Sequence, residues 1–150
     1  MNLKRFKMQS GRLCITRENK NLIINLIENS FTIDPIEKRS HQLFLRELEQ
    51  AELLFASEIP AKTIQFNSIV SIKTSFGIKR GLKIVLPEEA DISKNKLSVL
   101  SPAGAAIFGK KEGDQALWYF NSTSEELTIA RVDNSNNADK NFLKDCSYYE

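Results

Sequence analysis

The sequence predicts an α+β protein: a short N-terminal antiparallel helical hairpin of coiled-coil type, then a mainly antiparallel β-sheet crossed by one short helix. Three observations carry this. Apolar residues recur at helical spacing between Leu22 and Phe55, the period drops to two beyond Ile59-Pro60, and a brief helical stretch, Ala103–Phe108, interrupts the strands.

Residues 1–15 mix bases with scattered apolar groups and read as a variable leader, with a short strand at Leu13–Ile15. Residues 16–57 form the hairpin. Thr16 is placed to cap the first helix, Glu18 sits in its first turn, and Leu22, Ile23, Leu26 and Ile27 make its apolar stripe up to Asn29-Ser30. The second helix starts at Asp34-Pro35-Ile36-Glu37, with Asp34 as N-cap, Pro35 at the first helical position and Glu37 at the third, a capping box. Its seam is Phe44, Leu48, Ala51 and Phe55, so this helix is expected to run for about 20 residues, roughly 30 Å. The first helix is near half that, giving a paired stem of only ~18 Å.

Residues 58–132 form the β-rich part. Val70 and Ile72 alternate with Ser71 and Lys73, Phe76-Gly77 turns the chain, and Leu82, Ile84 and Leu86 alternate in a second strand ended by Pro87. Leu97 and Val99 open a third strand. Pro102 stops it, and Gly109 closes the short helix that follows. Gly113-Asp114 leads into a strand holding Ala116, Trp118 and Phe120, and a last strand covers about Leu127 to Val132. Residues 133–150 are polar and are expected to be a disordered tail, with Phe142, Tyr148 and Tyr149 unassigned.

Charge and chemistry narrow the function. The net charge is only +2 over 150 residues, which does not argue for nucleic acid. Met1–Lys20 carries six bases against Glu18, whereas Glu28–Glu58 carries seven acids against three bases and is repelled by phosphate backbones. Cys14 and Cys146, far apart, fit a reducing compartment, and no apolar run spans a bilayer or makes a signal peptide, so the expected location is the cytosol. Neither zinc-ligand spacing nor a phosphate-cradling glycine loop is present. The one histidine, His41, has no nucleophile motif near it and reads as a helix-surface or packing residue. No catalytic residue, metal ligand or cofactor is assigned. The residues alone describe an interaction module with a helical arm.

One stretch goes further. Ile59-Pro60, Phe66-Asn67-Ser68, Ile84-Val85-Leu86-Pro87-Glu88-Glu89-Ala90-Asp91 and Lys96-Leu97-Ser98-Val99-Leu100-Ser101-Pro102-Ala103-Gly104-Ala105-Ala106-Ile107-Phe108-Gly109-Lys110-Lys111 are followed by Gly113-Asp114. In this order they closely resemble the C-terminal domain of the GreA/GreB transcript-cleavage factors, which is FKBP-like. Leu45-Arg46-Glu47-Leu48-Glu49-Gln50-Ala51 running into Ile59-Pro60 resembles Rnk, the short branch of that family named as a regulator of nucleoside diphosphate kinase.

The resemblance implies a monomeric, cytoplasmic transcription regulator that grips the coiled coil at the rim of the RNA polymerase secondary channel. It implies no sequence-specific contact with nucleic acid, despite the DNA-binding description common in the family, and no membrane. The loop before the short helix supplies the grip, here Leu100, Ser101, Pro102 and Ala103. Pro102 offers a rigid apolar knob, and it equally suits the first position of the helix. The family also carries an Asp and a Glu three residues apart at the hairpin tip, where they help hold polymerase's second catalytic magnesium. Asp34 and Glu37 match that spacing, which the capping box also explains. Family stems are several turns longer, so the expectation is docking without transcript cleavage. The alternatives are a cleavage factor with a shortened arm using Asp34 and Glu37, or control of nucleoside diphosphate kinase. An FKBP-like fold also suggests a prolyl isomerase, but Trp118, Tyr119 and Phe120 on one strand alternate between its faces and do not line one pocket.

Overall fold

The computed structural model describes residues 12–120 and 123–135. Residues 1–11 of the expected leader therefore lie outside the described residues, as does most of the expected tail, with Phe142, Tyr148 and Tyr149.

The chain enters with a two-residue strand, β1 (Cys14–Ile15), whose residues are buried together with Leu13. Helix α1 (Arg17–Glu28) begins where Thr16 Oγ1 accepts the Asn19 N–H at 3.1 Å, and Asn29 ends it. Ile23 and Ile27 face the core, whereas Leu22 of the expected stripe lies partly in solvent. Helix α2 (Pro35–Glu49) follows, with Pro35 in its first turn and Arg46 in its last.

Two expectations about α2 need correction. It stops at Glu49, not near Phe55, so it is 15 residues long, about 22 Å. The physical reason is a competing backbone partner. The Glu52 N–H donates to Leu13 O at 2.7 Å and the Leu54 N–H to Ile15 O at 3.0 Å, pulling Glu52–Leu53 into a strand, β2, parallel to β1. Phe55, placed by periodicity in the seam, is consequently 77% exposed. The capping box is also only half formed. Asp34 Oδ1 accepts from the Ile36 N–H at 2.9 Å, but the Asp34 N–H donates to Thr32 Oγ1, leaving Glu37 out of the cap.

The main sheet has five strands: β3 (Ile69–Thr74), β4 (Gly77–Val85), β5 (Lys96–Ser98), β6 (Gln115–Phe120) and β7 (Thr123–Asp133). Their order is β5-β4-β3-β7-β6, antiparallel throughout except for the parallel β4–β5 pair. β4 and β7 begin earlier than periodicity suggests, because their first residues are exposed and show no alternation for a pattern to register. The short helix α3 (Pro102–Ile107) follows β5, and Gly109 (φ +80°) turns the chain away from it.

Helices and sheet share one buried cluster. Ile23, Ile27, Phe44 and Leu48 meet Ile64, Val70, Ile84, Ile107, Phe108, Ile129 and Val132 in it. Helix α2 packs on α3 and β6 more extensively than on α1. The arm therefore lies along the body of the protein from its middle onward.

Candidate partner-docking surface

The site begins with Ser98, at the end of β5. Its hydroxyl accepts the Leu100 N–H at 3.0 Å, and its carbonyl accepts from both the Ser101 N–H (3.1 Å) and the Ser101 hydroxyl (2.7 Å). Ser101 in turn caps α3, its Oγ accepting the Gly104 N–H at 3.1 Å, and Pro102 stands at the first helical position as its fixed φ favours. Every polar group of Ser101 is thus satisfied within the loop. The carbon of the turn, Leu100, Pro102 and Ala103, is half-buried, with Leu100 and Ala103 packed partly against the core.

Gly104 makes this turn possible. A Cβ there would lie 2.1 Å from the Ser98 carbonyl oxygen, closer than any contact permits, so only glycine lets the helix start so near the end of β5.

Three contacts bind α2 to this region. His41, 6% exposed, meets the Leu100 carbonyl through Nε2 at 2.9 Å; a carbonyl only accepts, so Nε2 carries the proton. Lys110, also buried, donates to Ala106 O at 2.6 Å, at the buried C-terminal end of α3, and pairs with Glu47 at 3.1 Å. The Arg39 guanidinium lies 5.6 Å above the Tyr119 ring on β6. The packing role expected for His41 holds, and the residue also fastens the arm to the loop. The Lys110–Glu47 pair had no sequence signal, since the two lie 63 positions apart.

The structure does not bring Asp34 and Glu37 together with Leu100–Ala103. They stand at the other end of α2, seven residues before His41 at most, next to a loop where Phe31 and Ile33 are each 89% exposed. Asp34 is exposed and engaged as a cap; the Glu37 carboxylate has no hydrogen-bond partner among the described residues. No group of three or more His, Cys, Asp or Glu able to hold a metal ion occurs among the described residues, and none of their helices is long and apolar enough to cross a membrane.

Comparison with known proteins gives a consistent result. The family described as "Transcription elongation factor, GreA/GreB, C-term" matches residues 59–134. Transcription elongation factor GreA of Hyphomonas neptunium is 34% identical over 71 residues, which are 47% of this chain and 45% of that protein. Regulator of nucleoside diphosphate kinase from Escherichia coli K12 is 34% identical over 73 residues, 48% of this chain and 54% of that protein. The chain thus spans about half the length of these two relatives. Against GreA of Rhodopseudomonas palustris the match is 29% over 115 residues, 73% of each chain. Among solved structures, the GreA/GreB factor from Nitrosomonas europaea superposes with a TM-score of 0.61 at 24% identity, over 81% of this chain and 97% of that one, a likeness of fold.

Proposed function

The chain belongs to the GreA/GreB family of transcription elongation factors, and from that premise we propose that it is a regulator that docks on RNA polymerase without stimulating transcript cleavage. The docking surface is the turn Leu100–Ala103, received by the coiled coil on the rim of the secondary channel. A rigid, internally satisfied turn with Pro102 at its apex loses little entropy on meeting a partner helix and exposes apolar carbon to it.

One observation supports the absence of cleavage. His41 bonds to Leu100, so Asp34 is separated from the proposed docking turn by the seven residues that precede His41. Seven residues at 1.5 Å each give about 10 Å of reach for Asp34. Stems of the cleavage factors that the sequence resembles run several turns longer. A carboxylate that does not arrive at a metal centre contributes nothing there, whatever its chemistry. On this reading the protein is monomeric and cytoplasmic, is not an enzyme, and competes with cleavage factors for one rim.

Co-purification with core RNA polymerase tests the proposal. Wild type is expected to bind and Pro102→Asp to lose binding while keeping its fold; wild type that never binds polymerase overturns it.

A second reading draws on Glu37, whose carboxylate is uncommitted, and on the exposed Asp34 beside it. It makes the protein a cleavage factor with a shortened arm. Stalled elongation complexes decide: cleavage with wild type that is lost in Asp34→Asn favours this reading, and no cleavage with wild type removes it. The name of the Escherichia coli relative raises control of nucleoside diphosphate kinase, which kinase assays with and without added protein address directly.

A further inference from the structure

Lys83 on β4 and Lys96 on β5 are register partners in the parallel pair. Neighbouring strands lie about 4.8 Å apart and paired residues share a face, so two ammonium-bearing stems stand side by side. Like charges at such positions repel and destabilise a sheet. Neither lysine has a carboxylate within ion-pair distance; among the described residues the only ion pair is Lys110–Glu47. Both are half-buried rather than splayed into solvent.

These lysines line a cleft of about 400 Å³ with Leu22, Phe66, Asn67, Val85, Leu86 and Glu89. Its walls differ in chemistry. Leu22, Val85, Leu86 and Phe66, whose ring rests on Phe108 with centroids 5.0 Å apart, supply an apolar side. Lys83, Lys96 and the Asn67 side chain supply the polar one. Asn67 is locked in the left-handed region (φ +72°) by its N–H bond to Ile84 O at 2.7 Å. Among the lining residues Glu89 offsets one of the two positive charges, and Asp91, which pairs with Lys96 across an antiparallel bridge, stands outside the lining. None of the residues assigned to the docking turn takes part.

We propose that this cleft binds a small phosphate ester with an aromatic body, of the nucleoside monophosphate class. Two adjacent ammoniums and an amide suit a phosphate, whose several oxygens accept from all three. The volume is within the range of small-molecule pockets and too large for a lone ion. The apolar wall gives a base or other flat ring somewhere to lie.

The test is calorimetric titration of the full chain with adenosine monophosphate, inorganic phosphate and adenosine separately. Saturable binding of the monophosphate is expected, tighter than either fragment, and weakened about tenfold or more in the Lys83→Gln/Lys96→Gln double variant. The same variant is expected to melt no lower than wild type, because it removes a repulsive pair. Lys94→Gln, exposed and outside the cleft, is expected to bind as wild type does. Absence of saturable binding up to about 10 mM, equal affinity for inorganic phosphate alone, or full affinity in the double variant each overturns the proposal.

Discussion

His41 and Leu100, 59 positions apart, are joined by a 2.9 Å hydrogen bond from the imidazole Nε2 to the backbone carbonyl. The bond runs from the middle of the helical arm to the first residue of the proposed docking turn. It ties the middle of the arm to the body at that residue.

Replacing His41 with Ala is expected to cost about 1–3 kcal/mol, because the half-buried carbonyl loses its donor and the packed ring leaves a gap. His41→Gln, which keeps an N–H donor at similar reach, is expected to recover part of that loss. Urea midpoints of the two variants check this; equal midpoints for Ala and Gln would show that the ring's bulk alone matters.

The Glu47–Lys110 pair is expected to respond asymmetrically. Lys110 is buried and Glu47 is partly exposed, so Glu47→Ala strands an ammonium inside while Lys110→Met leaves a carboxylate that water reaches. A loss of about 1–2 kcal/mol is expected for the first and less for the second. Thermal melts of both decide, and the reverse order refutes the account.

Gly104→Ala is expected to destabilise by about 2 kcal/mol or more, since the new methyl meets the Ser98 carbonyl at 2.1 Å and the turn must move. The same shift is expected to weaken polymerase binding, measured by pull-down on folded protein. A variant with wild-type stability would show that the turn yields more easily than its hydrogen bonds imply.

At the arm's tip, capping and charge separate cleanly. Asp34→Asn keeps a side-chain oxygen for the Ile36 N–H and is expected to hold stability within about 0.5 kcal/mol, while Asp34→Ala is expected to lose about 1 kcal/mol. Neither is expected to alter polymerase binding. Chemical denaturation read beside a pull-down tests both statements, and weaker binding in either variant would implicate the tip in the contact.

Much of the fold was legible before any coordinate. Thr16 and Asp34 each cap a helix and Pro102 stands at the first position of another, because such signals act on the backbone within two or three residues and need no tertiary partner. The loop Leu100–Ala103 was singled out by the resemblance, and its apolar, proline-led character by its own residues. The tip was half legible: Asp34 caps as expected, but Thr32 takes the backbone N–H that Glu37 was expected to bind. Two acceptors competed for one donor, and spacing does not rank them.

By itself, then, the sequence determined the α+β class, the succession of elements apart from β2, and the family. These follow from periodicity, capping and motif order, all of which are local. Only the tertiary structure decided that α2 ends at Glu49, that it rests on α3 and β6, and that Lys83 stands beside Lys96. The physical reason is the same in each case. Leu13 and Ile15 capture Glu52 and Leu54, Leu100 captures His41, and β5 lies parallel to β4, all through backbone groups that carry no side-chain signature and come from distant parts of the chain.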